Sequence, residues 1–440
     1  MPIVHWEKLP RKRLMPAKLT VRNVFKIFGE KPDAALQLLA QGQTKDEILQ
    51  ATGATIGVQD TSFDVGEGEI FVVMGLSGSG KSTLVRMLNG LIAPTAGSIL
   101  VDGEDVATCG RKQLRDIRRD KIAMVFQHFA LFPHWTVAEN AAYGLRIKGV
   151  KPDERREKAL KALDQVGLGA WADSLPSELS GGMQQRVGLA RGLATEPEVL
   201  LMDEPFGALD PLIRREMQDE LLVLQKSLKK TIVFITHDLN EALLLGDKIA
   251  IMKDGRFVQI GTAQEIVSNP ADDYVAAFVA DIDRGRVFTA EDVSNDPAAM
   301  KLGTDNADDA MRAMEDLNRN ALYVVDEKDN IAGVVTYQDL AAATLDRATP
   351  NPVLEEAMIT EYPTVDADTQ LHALYGAASG GLPIAVTDAR DRLIGVIEPE
   401  AVFAQLSGDG EEAEQAADDG PPAEAAQTDE TITAKESADA

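Results

Sequence analysis

Gly75-Leu76-Ser77-Gly78-Ser79-Gly80-Lys81-Ser82 directly follows the apolar run Ile70–Met74. Residues of these types in this order suit a phosphate. Glycines let the backbone curl until its N–H groups converge on anionic oxygens. A helix beginning near Lys81 adds the positive end of its dipole. The pattern, continued by Thr83, predicts that the Lys81 ammonium bridges the β- and γ-phosphates of a nucleotide and that the Ser82 hydroxyl ligates Mg²⁺. A second chemistry-bearing pair, Asp203-Glu204, closes the apolar run Leu200-Leu-Met and precedes Pro205. The first acid at such a strand end is suited to Mg²⁺ and the second to polarising the water that attacks a γ-phosphate. The chemistry is phosphoryl transfer from ATP to water.

Groups so far apart in sequence need a framework to bring them together. Apolar runs of strand length occur at Ile70–Met74, Ile122–Phe126, Val199–Met202, Thr231–Ile235 and Lys248–Met252, most followed by a polar or glycine-rich loop and then a helical pattern. Between about Thr20 and Ala280 this alternation predicts a mainly parallel α/β sheet. The charged stretch between His128 and Leu179 predicts an inserted helical subdomain. After Asp281 the chain changes to two short α/β units, Ala321-Leu-Tyr-Val-Val with Ile331-Ala-Gly-Val-Val-Thr, and Leu382-Pro-Ile-Ala-Val with Leu393-Ile-Gly-Val-Ile. Their spacing of about sixty residues reads as an internal repeat.

Leu179-Ser180-Gly181-Gly182-Met183-Gln184-Gln185-Arg186 resembles the signature motif of ABC ATPases. It is itself an anion site in form, a serine and two glycines at a helix N-terminus. The resemblance implies that Ser180, Gly181 and Gly182 bind the γ-phosphate of ATP held by a second copy, so that two cassettes sandwich two nucleotides. The other family positions are filled in chain order. Phe28 matches the aromatic that stacks on adenine, where Tyr is more usual, and a buried core phenylalanine is the rival reading. Gln127 matches the glutamine that senses Mg²⁺ and contacts the membrane partner. Asp210 matches the loop crossing the dimer interface, and His237 the switch histidine on the γ-phosphate. The resemblance implies a P-loop NTPase cassette with ATP and Mg²⁺ as cofactors. Its ATP-contacting residues run from Phe28 through Gly75–Thr83, Ser180–Gly182 and Asp210. Glu204, His237 and Gln127 are the catalytic residues, and Ser82, Gln127 and Asp203 the metal ligands.

Leu131-Phe-Pro-His-Trp-Thr-Val-Ala-Glu-Asn140 is similar to the corresponding stretch of bacterial importers. The insertion from Glu30 to Gln59 and the Arg86-Met-Leu-Asn-Gly-Leu segment resemble importers of glycine betaine, proline betaine and related quaternary amines. The C-terminal pair resembles the tandem cystathionine-β-synthase (CBS) domains those ATPases carry. Its first unit keeps Thr336 and Asp339, expected near a bound ribose, where the second has Glu398 and Ala401. A module responding to ionic strength or ligand and a structural or dimerising module both remain open. The expected divisions are a basic arm and adenine-contacting segment at 1–28, a helical extension at 29–59, and the cassette at 60–280 with its helical subdomain at about 128–190. The CBS units follow at 285–345 and 350–406, with a disordered acidic tail at 407–440. The implied partners are a second copy, transmembrane permease subunits and, through them, a periplasmic or lipid-anchored solute-binding protein. The alternative is the ATPase of another importer, for choline, amino acids or sulfonates.

Composition narrows the field. The formal charge of −27 over 440 residues argues against general nucleic-acid binding, which needs clustered positive charge. No stretch approaches 18 uninterrupted apolar residues, and the N-terminus has no secretory h-region. The lone Cys109 fits a reducing cytosol, consistent with a peripheral protein on the cytoplasmic face of the inner membrane. From Ser407 onward eleven Asp or Glu stand against Lys435 alone, a net −10. Lys8, Arg11, Lys12 and Arg13 make the opposite end basic, suited to anionic lipid or to plain solvation. If the CBS pair and tail regulate transport, removing the chain after Asp281 abolishes activation by salt; vesicle uptake that still rises with salt refutes the regulatory reading.

Overall fold

The computed structural model describes residues 17–126, 130–207, 209–327, 330–345 and 354–407. They fall into one unit running to Asp283 and another from Arg284 onward. The basic residues up to Arg13, Gln127 and the acidic tail lie outside the described residues.

In the first unit, strand β1 (Ala17–Phe28) leads into helices α1 (Pro32–Ala40) and α2 (Lys45–Thr52), then β2 (Thr55–Gly66) and β3 (Ile70–Met74). Helix α2 is fixed at both ends. Thr44 and Glu47 form a reciprocal capping box, and Gly53 ends the helix at φ +68°, a conformation glycine adopts without a side-chain clash. The α1–α2 pair packs Ala35 and Ile48 against Ile27, Ala54 and Ile56 at the ends of β1 and β2. Next come α3 (Lys81–Leu88), β4 (Ala96–Val101), β5 (Glu104–Asp105), α4 (Arg111–Asp120) and β6 (Ile122–Phe126). Four helices follow, α5 (Val137–Ala141), α6 (Tyr143–Ile147), α7 (Pro152–Gln165) and α8 (Gly181–Leu193). The chain then runs β7 (Val199–Asp203), α9 (Pro211–Leu228), β8 (Thr231–Thr236), α10 (Leu239–Leu245), β9 (Lys248–Lys253), β10 (Arg256–Gly261), α11 (Ala263–Ser268) and α12 (Asp273–Val279).

Two sheets result. The six-stranded sheet has the order β10-β9-β3-β8-β7-β6, parallel from β9 to β6 with β10 antiparallel at the edge. Its strands are apolar along nearly their whole length, as both faces are covered, and they coincide with the apolar runs of the sequence. The four-stranded sheet β2-β1-β4-β5 is antiparallel, a departure from the expected single alternation of strands and helices. Register shifts at Val21/Val24 and Lys26/Ile27 break the period-two pattern that would have marked its strands. One buried cluster joins the two sheets through α3, with Leu19, Phe63 and Ile99 from one sheet, Phe71, Val73 and Val233 from the other, and Leu84 and Leu88 between. Each such side chain contributes about 1.5–3 kcal/mol on burial.

The helical region starts from a polar anchor. Asn140, with no exposed surface, accepts the Phe132 N–H through Oδ1 at 2.8 Å. Its Nδ2 donates to Phe132 O at 3.1 Å, Trp135 O at 3.1 Å and Thr136 O at 3.0 Å. Thr136 and Glu139 add a capping box at the start of α5. These bonds give Thr136-Val-Ala-Glu-Asn140 a local purpose: Asn140 folds the preceding loop over its own helix.

The second unit repeats one pattern. Strands β11 (Ala299–Lys301), β12 (Ala321–Val325) and β13 (Ile331–Thr336) form a sheet, as do β14 (Thr364–Asp366), β15 (Ile384–Thr387) and β16 (Leu393–Ile397). In each, a parallel pair is followed by an antiparallel one. The repeats interlock. Asn295, ahead of the first sheet, bridges to Val396 in the second, and Ile359, ahead of the second, bridges to Val334 in the first. The fully buried Tyr323 donates its hydroxyl to Pro383 O at 2.6 Å, and it shares a core with Ala385 and Val396.

Asn140→Ala is expected to destabilise the chain by about 2–4 kcal/mol, because the loop's amide and carbonyls lose their partner in a buried place. Urea unfolding followed by tryptophan fluorescence measures it, and a loss below about 0.5 kcal/mol contradicts the anchoring role.

Candidate active site

The parallel strands end together, and that edge gathers the chemistry. Registers Met74↔Thr236 and Asp203↔Ile235 put the loop after β3, the acids ending β7 and the histidine after β8 side by side. This is where open α/β sheets bind ligands. A cavity of about 610 Å³ opens there, lined by Phe28, residues 76–78 and 80–83, Glu204 and His237. That volume is in the range of small-molecule sites.

The loop is pressed against its surroundings. A Cβ on Gly75 would lie 2.1 Å from Met252 O, and one on Gly80 2.4 Å from Gly57 O. Both glycines have positive φ, +153° and +109°. Lys81 opens α3 with its side chain buried, donating to Gly75 O at 2.7 Å and Leu76 O at 3.0 Å. Burial lowers its pKa, and Glu204 and Asp203 oppose that. Asp203 is pushed the other way: burial and the charge of Glu204 raise its pKa, while Arg86, the Ser82 hydroxyl and Lys81 pull it down. Among the described residues no group of three or more His, Cys, Asp or Glu is gathered to hold a metal. The bonded pair of Ser82 hydroxyl and Asp203 carboxylate offers hard oxygen ligands that fit Mg²⁺ sharing its shell with phosphate oxygens.

Glu204 has φ +46°, unusual for a side chain with a Cβ and costing about 1 kcal/mol or more. Its N–H donates to Ile235 O at 2.9 Å, and its Oε2 lies 3.1 Å from His237 Nδ1. The turn thus lifts the carboxylate out of the sheet toward the cavity. Behind it, the buried Thr236 hydroxyl and Gln218 amide donate to Glu241 at 2.6 and 3.0 Å, fixing the strand end that carries His237.

Phe28 is 41% exposed, with Lys26 Nζ 5.2 Å from its ring centroid. Its ring lies on Gly57, where a Cβ would come within 2.8 Å of it. The ring therefore faces the cavity instead of filling a core. Residues 55–57 also line the cavity, although sequence inspection did not single them out. The antiparallel pairing of Phe28 with Thr55 is what brings them there.

Ser180, Gly181, Gly182 and Asp210 do not line this cavity. Ser180 Oγ caps α8 by accepting the Met183 N–H at 3.3 Å, and Asp210 Oδ1 caps α9 by accepting Ile213 N–H at 3.1 Å. The two helix starts meet, with Gly182 leaving room for Ile213, whose Cγ2 would be 2.6 Å from a Cβ there. The buried Gln185 amide donates to Pro205 O at 2.6 Å, so α8 is tied to the turn carrying Glu204. Gln127 lies outside the described residues; its neighbour Phe126 ends β6 opposite Asp203. In the second unit Thr336 donates to Asp339 Oδ2 at 2.6 Å, whereas Glu398 faces Arg319 at 3.8 Å, and burial raises the Glu398 pKa.

With this geometry in view, comparison with known proteins gives a family. Residues 58–207 match the ABC transporter family model, and residues 290–346 the CBS domain model. The chain is 49% identical over 397 residues to the glycine betaine transport ATP-binding protein OpuAA of Bacillus subtilis, covering 90% of this chain and 94% of that one. The glycine betaine/proline betaine transport system ATP-binding protein ProV of Escherichia coli is 48% identical over 402 residues, 90% of this chain and 99% of its own. The chain belongs to the ABC transporter ATP-binding family. This ABC subunit is an ATP-hydrolysing transport ATPase with a cassette of mixed α/β fold and a C-terminal CBS domain. A further relative, the trimethylamine N-oxide transport ATP-binding protein TmoW of Ruegeria pomeroyi, is 54% identical over 272 residues, 62% of this chain and 80% of that protein.

A carboxyl whose pKa is higher in the folded than in the unfolded chain weakens folding as pH rises above its unfolded value. Asp203→Asn is therefore expected to raise the thermal midpoint at pH 7. Below about pH 4 the gain disappears. Hydrolysis falls by on the order of 10² or more. Melting curves at both pH values, with a phosphate-release assay, test the pairing of gained stability and lost activity.

Proposed function

We propose that this ABC subunit energises import of glycine betaine, proline betaine or a related quaternary amine. The observation that carries the cargo class is identity of 48–49% to glycine betaine transport subunits across about 90% of the chain, the CBS-containing part included. A trimethylamine N-oxide relative carries the same kind of cargo, a small dipolar amine. Sulfonate, amino-acid and choline importers share the hydrolytic chemistry, and the extent of the identity to betaine subunits, 48–49% over about 90% of the chain, favours the betaine reading over them.

The loop amides and Lys81 bind the phosphates of ATP, and Phe28 takes the adenine on its exposed face. Mg²⁺, when bound, neutralises phosphate charge, and Ser82, Asp203 and Gln127 are the residues to hold it. Glu204 orients the attacking water and receives its proton, steadied by His237 at 3.1 Å. A lid to the cavity comes from Ser180, Gly181, Gly182 and Asp210 of a second copy, a reading supported by their position outside the cavity of their own chain. Permease subunits dock in a groove of about 410 Å³ beside the end of β6, whose lining includes Phe126, Phe132, Tyr143 and Ile147. Ile147 is 63% exposed and Phe126 44%, a cost in water that a covering partner removes. No helix among the described residues is long and apolar enough to cross a membrane. On this reading the permease holds the subunit to the cytoplasmic face and delivers what a solute-binding protein captures.

Vesicles containing the assembled importer, its binding protein and labelled glycine betaine test the reading. Uptake that needs ATP and falls at least 10²-fold with Glu204→Gln, while nucleotide binding persists, is the expected result. Hydrolysis without betaine uptake discards the cargo assignment.

A further inference from the structure

The turn joining β9 and β10 touches the phosphate loop directly. Gly255 N–H donates to Ser79 O at 2.8 Å, and Met252 O occupies the place a Cβ on Gly75 would need. The same turn is anchored on β2, where Gln59 N–H donates to Gly255 O at 2.7 Å and Gln59 Nε2 to Asp254 O at 2.8 Å. A third anchor comes from the end of the cassette. Lys253 Nζ sits 4.2 Å from the centroid of the Tyr274 ring, and Tyr274 on α12 is held edge-on by Phe278, centroids 4.9 Å apart. Burial raises the Tyr274 pKa, and the backbone N–H of Leu76, in the phosphate loop itself, pulls it back. Helix α12 ends at Val279 and the second unit begins at Arg284, so only residues 280–283 separate the end of the helix carrying Tyr274 from that unit.

We propose that Tyr274, acting through Lys253, is a positioning residue for the phosphate loop, and that α12 thereby links nucleotide affinity to the segment leading into the CBS-containing unit. The inference rests on reading the loop after β3 as the nucleotide site. The turn braces that loop from the β9 side of β3, whereas Glu204 and His237 follow β7 and β8 on its other side. Loosening the brace therefore weakens nucleotide binding and leaves the chemical step largely alone. No covalent or proton-transfer role falls to Tyr274.

The test uses the full chain, with equilibrium binding of a fluorescent ATP analogue and steady-state hydrolysis. Tyr274→Leu is expected to raise both the analogue's Kd and the KM for ATP about 3–5-fold, the worth of a partly desolvated cation–π contact, with kcat changed less than twofold. Tyr274→Phe keeps the ring over Lys253 and gives up only the hydroxyl's contact with the Leu76 N–H, so its affinity falls between those of the native chain and Tyr274→Leu. Lys253→Gln reproduces the loss that belongs to the ring contact. Should Tyr274→Leu not fold, the contrast between Tyr274→Phe and Lys253→Gln decides the matter. Unchanged Kd and KM in Lys253→Gln overturn the proposal. So does a fall in kcat and melting temperature at constant KM, which marks a merely structural contact. Failure of the unaltered chain to bind the analogue strikes instead at the nucleotide reading.

Discussion

The constraint on which the cassette depends is the closeness of backbone to backbone around the phosphate loop. A loop that cradles an anion with its own amides must be held from outside, because its side chains are too few and small to pack it. Here Met252 O and Gly57 O fill the positions where Gly75 and Gly80 would carry a Cβ. The sheet order follows from that need. Strand β9 has to flank β3 on one side so that its following turn reaches Ser79, and β8 has to flank it on the other so that His237 emerges beside Glu204. The antiparallel sheet brings Gly57 and Phe28 over the loop, and α3, packed between the sheets, keeps the helix start aimed along its axis.

Electrostatics then sets these groups against one another. Lys81 is buried, and burial disfavours its charge; Asp203 is half-buried, and its immediate neighbour is another acid. Neither is arranged for stability. Their mutual attraction and the Ser82 hydroxyl offset part of the desolvation, and the rest stands against folding. The left-handed backbone at Glu204 belongs with these features, as strain concentrated where chemistry is expected.

Much of this was legible before any coordinates. Glycines, lysine and serine in one octapeptide, acids at a strand end and a histidine at another declare themselves because each needs its residue type in order to act. The five parallel strands were visible because burial on both faces makes them continuously apolar. The antiparallel sheet was not, since bulges in β1 and β2 scramble its alternation. Residues 55–57 and Tyr274 escaped for a related reason. They serve the loop through main-chain proximity or ring placement, and neither leaves a compositional mark. Phe28 stood between two readings that only its solvent exposure distinguishes.

The two repeats of the second unit exchange segments, with Asn295 bridging forward to Val396 and Ile359 back to Val334, and Tyr323 plugs its hydroxyl into the other repeat at Pro383. A gene duplication that began as two self-sufficient halves would have had little use for such exchange. As it stands, one of the cores, that around Tyr323, Ala385 and Val396, is closed only by residues of both halves, so the halves are gained or lost at least cost as a pair. A break between the halves would leave both with raw apolar faces, prone to association with other chains.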